Sequence, residues 1–463
     1  MKSSIEAAIA ANRFGLGARP GELADLGSAA RDSLHAQLRG PAPLIGQNLQ
    51  SSQAVIAQAI ALREERRKAG DDDAAAQVAI GLRLREIYRP LYVDDVLARF
   101  NAAIGTQRSF IERMVQFWSN HFAVSIDKVV VLGIAGAMER EAIRPNVLGN
   151  FSDMLVAVEK HPAMLLYLDN QLSTGPNSLA AGVVARRGNG RKLGLNENLA
   201  REILELHTLG VSGGYSQQDV TTFAAIITGW SIGGDVGRLR GGEPGQFYFR
   251  DAFHEPGAKT LLGRNYRQDG LQQGEQALRD LALHAATARH IATKLARHFI
   301  SDEPPAEVVE HLARAFHDGN GDLPTLYRAL FDAPQSWQAS LNKFKTPADF
   351  IYSSYRALGL PVADERRGLA PFELLDQRSF QPGSPAGWPD RSVDWDGSSA
   401  LLKRIEWADA LGQRLGSRVN ASSLAEAMLG ATLTSATRTS IARAQDGAQA
   451  LTLLLSSPEF MRR

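Results

Sequence analysis

The sequence predicts an all-α fold, a large multi-helix domain carrying one small β-hairpin. Three observations predict it. Ala, Leu, Arg and Glu abound while β-branched runs are scarce. Apolar residues, 44% of the chain, recur at helical spacing through most of its length. One Gly-rich stretch, 229–263, instead alternates aromatics at Phe247 and Phe249, which is strand spacing.

Taken in order, residues 1–40 read as two short helices around the turn FGLGARPGEL, and 41–52 as a loop. Helical periodicity runs from 53 to about 168, with ALREERRKAGDDDAAAQ as a solvated helix end and turn. A Ser/Gly/Asn/Arg-rich connection (169–195) precedes a helix from Asn196 and a second over 216–229. The hairpin is expected near 245–262, helices resume over 271–360, and RSFQPGSPAGWPDRSVDW interrupts before the final helices. About fifteen to twenty helices result, in a single domain over 1–463 with loop insertions at 169–195, 231–262 and 378–397.

Bulk properties exclude several functions. The 51 Lys and Arg against 50 Asp and Glu leave a formal charge of +1, which offers no global footprint for nucleic acid or an anionic membrane. With no cysteine, disulfides, thiolate zinc sites, iron–sulfur clusters and cysteine nucleophiles drop out. The apolar run VVVLGIAGAM is far short of the roughly 18–20 residues that insert across a bilayer. The start MKSSIEAAIAANRFGLG has no continuous apolar core of the secretory kind, so a soluble, cytoplasmic protein is expected.

The stretch NENLAREILELHTLGVSGGYSQQDV (196–220) concentrates Glu197, Glu202, Glu205, His207 and Asp219. At 100° per residue Glu197, Asn198, Arg201, Glu202 and Glu205 share one arc of roughly 140°, as on a solvated amphipathic helix capped by Asn196. If another element covered that face, Glu202 and Glu205 at i, i+3 could ligate one cation or share a proton. Burial of the face decides between the two readings.

FIERMVQFWSNHFAVS places His121 on one stripe with Phe110, Met114 and Phe117, either as a satisfied core histidine or as a ligand or base held by aromatics. FRDAFHEPGAKTLLG sets Arg250, Asp251, His254 and Lys259 on a Pro/Gly-punctuated loop, a surface turn or a site. ARRGNGRKLGLNENLARE leads a basic loop into a helix N-terminus but lacks phosphate-loop spacing. HIATKLARHFISD reads as an amphipathic helix packed by its Ile/Leu/Phe face. No HExxH or DxDxDG pattern occurs.

Together FWSNHFAVS, EREAIRPNVLGNFSDMLVAVEKHPAMLLYLDN, NENLAREILELHTLGVSGGYSQQDV, ITGW, HEPGAKTLLG, KLARHFISD, SPAGWPD and SPEFMRR resemble, in order and spacing, the bacterial DUF1800 family. The resemblance runs from NRFGLG to the last residues. It implies a helix-rich protein of unassigned function, whose relatives often lie beside genes for sulfatase-like or phosphatase-like proteins and often carry export signals. The family's motif positions fall on Trp118, His121, Arg144, Tyr167, Asp169, Asn196, Glu197, Arg201, Glu202, Glu205, Asp219, Trp230, His254 and Trp388. Where many members have Gly-Gln before the GWP loop, this chain has Asp376-Gln377.

The recurrence of Asn196, Glu197, Arg201, Glu202 and Glu205 as a family pattern implies that this polar face lies against other elements. Two functions follow as expectations. The first is a metal- or acid/base-dependent enzyme with His121, Glu202 and His254 as catalytic groups. Its divalent metal would sit on Glu202, Glu205 and His121, with Arg144, Arg201, Lys259 and Trp230 toward an anionic substrate. Arg144 and Arg201 equally suit a structural ion network. The second is a non-catalytic partner of the neighbouring sulfatase-like protein, contacting it through Trp230, the GWP loop and the Arg-rich loop.

Overall fold

Helical periodicity gives helices: a computed structural model of the chain places 24 α-helical segments among its described residues. Those residues are 4–68, 74–186, 194–234, 241–362 and 364–463. The acidic turn at 69–73 and most of the Arg-rich loop (187–193) lie outside them. The segments outnumber the expected helices because short turns such as Val129–Leu132 and Ala135–Met138 stand as separate elements.

Three helices change register along their length. Ile5–Ile9, Ala135–Met138 and Asn198–Glu202 each run into a five-residue π-helical turn: Ala10–Phe14, Glu139–Ile143 and Ile203–His207. Such widened turns re-aim the side chains that follow them.

The expected single hairpin is two. Trp230–Ile232 pairs antiparallel with Phe247–Phe249, and Lys259–Leu261 pairs with Arg264–Tyr266. The first pair lies farther back than 245–262 because Trp230 and Ile232, read as part of a loop, pair with the alternating aromatics. Leu262 and Gly263, both at positive φ, close the second pair in a two-residue turn.

The interior holds two hydrophobic clusters. One gathers Phe110, Trp118, Phe122, Phe151, Leu295 and Phe380 with many others. The second, built largely from residues beyond 343, includes Phe344, Phe350, Tyr352, Phe372 and Trp407. No helix among the described residues is long and apolar enough to cross a membrane.

Candidate active site

Where the two clusters meet, Phe380 of the first and Tyr352 and Phe372 of the second line one cavity of about 350 Å³. Three segments carry the histidines and the lysine of its polar wall, with the loop they face: the end of helix Ser109–His121, the helix Ala285–Phe299, and the GWPD loop. Asn120 fastens the loop to the first helix by two bonds. Its carboxamide donates to the Trp388 carbonyl at 2.9 Å and accepts from the Trp388 amide at 2.7 Å. Gly387 is required there, since φ is +81° and a Cβ would fall 2.3 Å from the Asn120 carbonyl oxygen.

His121 is buried, with both ring nitrogens engaged. Nε2 faces the His207 carbonyl at 3.1 Å, and Nδ1 faces the Lys294 ammonium at 3.0 Å. A neutral imidazole carrying its proton on Nε2 satisfies both contacts. Burial, reinforced by Lys294, keeps the ring well below the usual histidine range. Lys294 in turn is pushed down to about 8 by burial; Asp390 partly opposes this, and Arg297 adds to it.

The third contributor to the wall is a His–Asp pair. His298 Nδ1 lies 3.0 Å from Asp390 Oδ2, and Arg113 Nη1 approaches Nε2 at 3.4 Å. Burial holds His298 down at about 4 although Asp390 opposes it. Burial alone would raise Asp390, but His298 and Lys343 outweigh it and hold the carboxyl at about 2. Behind this pair Asp349 bridges Arg113 and Arg463, each at 2.9 Å.

His121 is thus the one sequence-predicted site residue in the cavity wall; Glu202, Glu205 and His254 stand elsewhere. The acidic face from Asn196 is neither open to water nor sealed: Glu197, Glu202 and Glu205 are each half-buried. Glu197 accepts from Thr221, Gln217 and Arg201, tying its helix to Gln217–Ile226. Glu205 takes a 3.3 Å bond from the Tyr215 hydroxyl, and burial pushes the Glu202 carboxyl above its usual value. Among the described residues no three His, Cys, Asp or Glu side chains stand where they could hold one metal ion, so the set His121, Glu202, Glu205 does not close. Asp219 is a capping residue, paired with Ser216 and accepting from the Leu262 amide. Asn196 accepts from the Asn198 amide at 2.9 Å, although the helix begins a residue later than expected.

The stretch reaches the cavity through backbone instead. His207 is wholly buried with Nδ1 2.7 Å from Glu159, and its carbonyl receives the His121 bond. His254 sits against the Thr228 carbonyl at 3.1 Å, and burial lowers its proton affinity. Arg144 spends its guanidinium on Glu112, at 2.7 and 2.8 Å, and on Glu139. Arg201 pairs with Glu197 at 3.1 Å, and the Lys259 ammonium is taken up by the Glu255 and Gly257 carbonyls and by Gln273. Trp230 is fully buried against Phe247, so it presents no contact surface.

Sequence reasoning missed Lys294, Arg297, His298 and Asp390. The signal was present in HIATKLARH, whose His290, Lys294, Arg297 and His298 follow an i, i+4, i+7, i+8 stripe. That stripe faces protein, with His290 Nε2 3.0 Å from the Leu206 carbonyl.

The family model described as Protein of unknown function (DUF1800) matches residues 9–462. No curated protein and no solved structure matches the chain.

Proposed function

The chain belongs to the DUF1800 family of proteins of unknown function, and we propose that it is an enzyme that moves a proton on a small substrate held in this cavity. Lys294 gives or takes the proton, and His121 positions it. The observation that carries the reading is the hydrogen bonding of Lys294: its one bond among the described residues goes to an uncharged imidazole, at 3.0 Å, in a cavity wall. An amine so placed and held near 8 populates both protonation states close to neutral pH, which is what general acid/base work requires. The bond from His121 to the His207 carbonyl fixes the ring, so the amine has a defined direction. The metal-dependent alternative has less support, because Glu202 and Glu205 are absent from the cavity wall.

The test of the enzymatic reading is to incubate the protein with pooled small metabolites and follow their masses. Turnover should change with pH around about 8, rising where Lys294 takes the proton and falling where it gives it, and vanish in Lys294→Met while surviving in Arg438→Gln, a change at an exposed ion pair. Turnover indifferent to Lys294→Met would overturn it.

A further inference from the structure

The cavity wall is unevenly charged. Arg99, Arg113, Lys294, Arg297, Arg378 and Arg391 face only Asp349, Asp390 and Asp394, six cations against three carboxylates. Four of the six have a carboxylate of their own. Arg99 pairs with Glu139 and Arg113 with Asp349, each at 2.9 Å; Arg391 pairs with Glu303 at 3.1 Å and Arg378 with Glu373 at 3.8 Å.

Lys294 and Arg297 do not. Lys294 donates to neutral His121, and Arg297 Nε donates to the main-chain carbonyl of Asp302 at 3.1 Å. Among the described residues no carboxylate forms an ion pair with either. They stand three residues apart on Ala285–Phe299, so their heads leave the same helix face. Asp390, the carboxylate that acts on Lys294, is already bonded to His298 at 3.0 Å. Two adjacent cations in a half-buried wall repel each other, and an anionic ligand would relieve that repulsion.

Resting on the reading of this cavity as the substrate site, we infer that Lys294 and Arg297 together hold an oxyanion of the substrate, a phosphate or a carboxylate group. The guanidinium offers a planar fork and the ammonium a point charge, the pair of donors that oxyanions take up. A volume near 350 Å³ admits a small organic anion and excludes a folded polymer.

Titration calorimetry of the full chain tests this with sodium phosphate and with sodium succinate, at ionic strength fixed by sodium chloride. Saturable one-site binding of at least one is expected, weakened about tenfold or more in Arg297→Gln and unchanged in Arg438→Gln. Binding of phosphate alone marks a phosphoryl substrate, binding of succinate alone a carboxylate, and equal binding a site that reads only charge; each supports the inference. No saturable binding by either, or wild-type affinity in Arg297→Gln, overturns it. Should Arg297→Gln fail to fold, protection of Lys294 from acylation by phosphate or succinate in the unaltered protein serves instead, and absence of protection by both overturns it. The two readings fail separately. Anion binding beside a lysine with ordinary proton affinity removes only the proton-transfer role, and a lysine titrating near 8 without anion binding removes only this inference.

Discussion

Burying an amine beside an uncharged partner costs the fold free energy, and Lys294 bears that cost at neutral pH. Its proton affinity falls from 10.5 to about 8 on folding. Below pH 8 both states carry the proton and the penalty is complete. Between 8 and 10.5 the unfolded chain holds a proton that the native state has released, so stability rises with pH. Lys294→Met should therefore stabilise the protein at pH 7 by about 2 kcal/mol, after discounting the lost bond to His121 and partial solvent screening. The gain should fade toward pH 10.5, which thermal melts at both pH values would read. A stabilising loss of a polar residue marks a group retained for function, not for folding. Gly387 makes the opposite case. Adding a Cβ at φ +81°, 2.3 Å from the Asn120 oxygen, should cost about 2 kcal/mol or more, so Gly387→Ala should melt early and release the loop that carries Asp390.

Helix register explains where the acidic stretch ends up. A uniform wheel drawn from Asn196 places Glu202 and Glu205 on one arc and His207 at the apolar edge. The chain leaves α geometry after Glu202, and the π turn Ile203–His207 widens the wheel there, so positions computed at 100° per residue no longer hold. His207 points inward to Glu159, both side chains wholly buried, and its carbonyl is left to fix His121. This pair is structural. Removing one member strands the other, so Glu159→Ala should destabilise by about 3–5 kcal/mol in denaturant titration. A double-mutant cycle with His207→Ala should recover part of that loss. The helix Ala285–Phe299 shows a related effect. One apolar face is enough to call an amphipathic helix, yet its polar stripe is covered too and becomes cavity wall.

At the scale of the molecule, the cavity lies where two hydrophobic clusters meet and buried charges concentrate. His121, His290 and His298 are all held below the usual histidine value, the last two at about 4. As pH falls from 6.5 to 4 the unfolded chain takes up protons that these rings refuse, so stability should fall through that window. Asp390, at about 2, adds a further loss as pH drops below 3.8, where the unfolded carboxyl is protonated and the native one is not. Melting temperatures between pH 7 and pH 4 should fall, and His298→Phe should flatten the slope.

The helical class was legible because 3.6-residue periodicity and composition act locally. His121 was legible because its aromatic stripe buries it. Lys294, Arg297 and Asp390 were not, since a helix read alone assigns its polar side to water, and segments distant in sequence, at His121, at Leu206 and in the GWPD loop, cover this one. Glu202 and Glu205 drew attention as paired acids, but pairing in sequence does not bring a third ligand from another element.

The most direct test is the titration of Lys294 itself. Competitive acylation of the intact protein across pH, read on the Lys294 peptide by mass spectrometry, should give a reactivity midpoint near 8. A midpoint near 10.5, the value of a lysine in free solvent, would contradict the account.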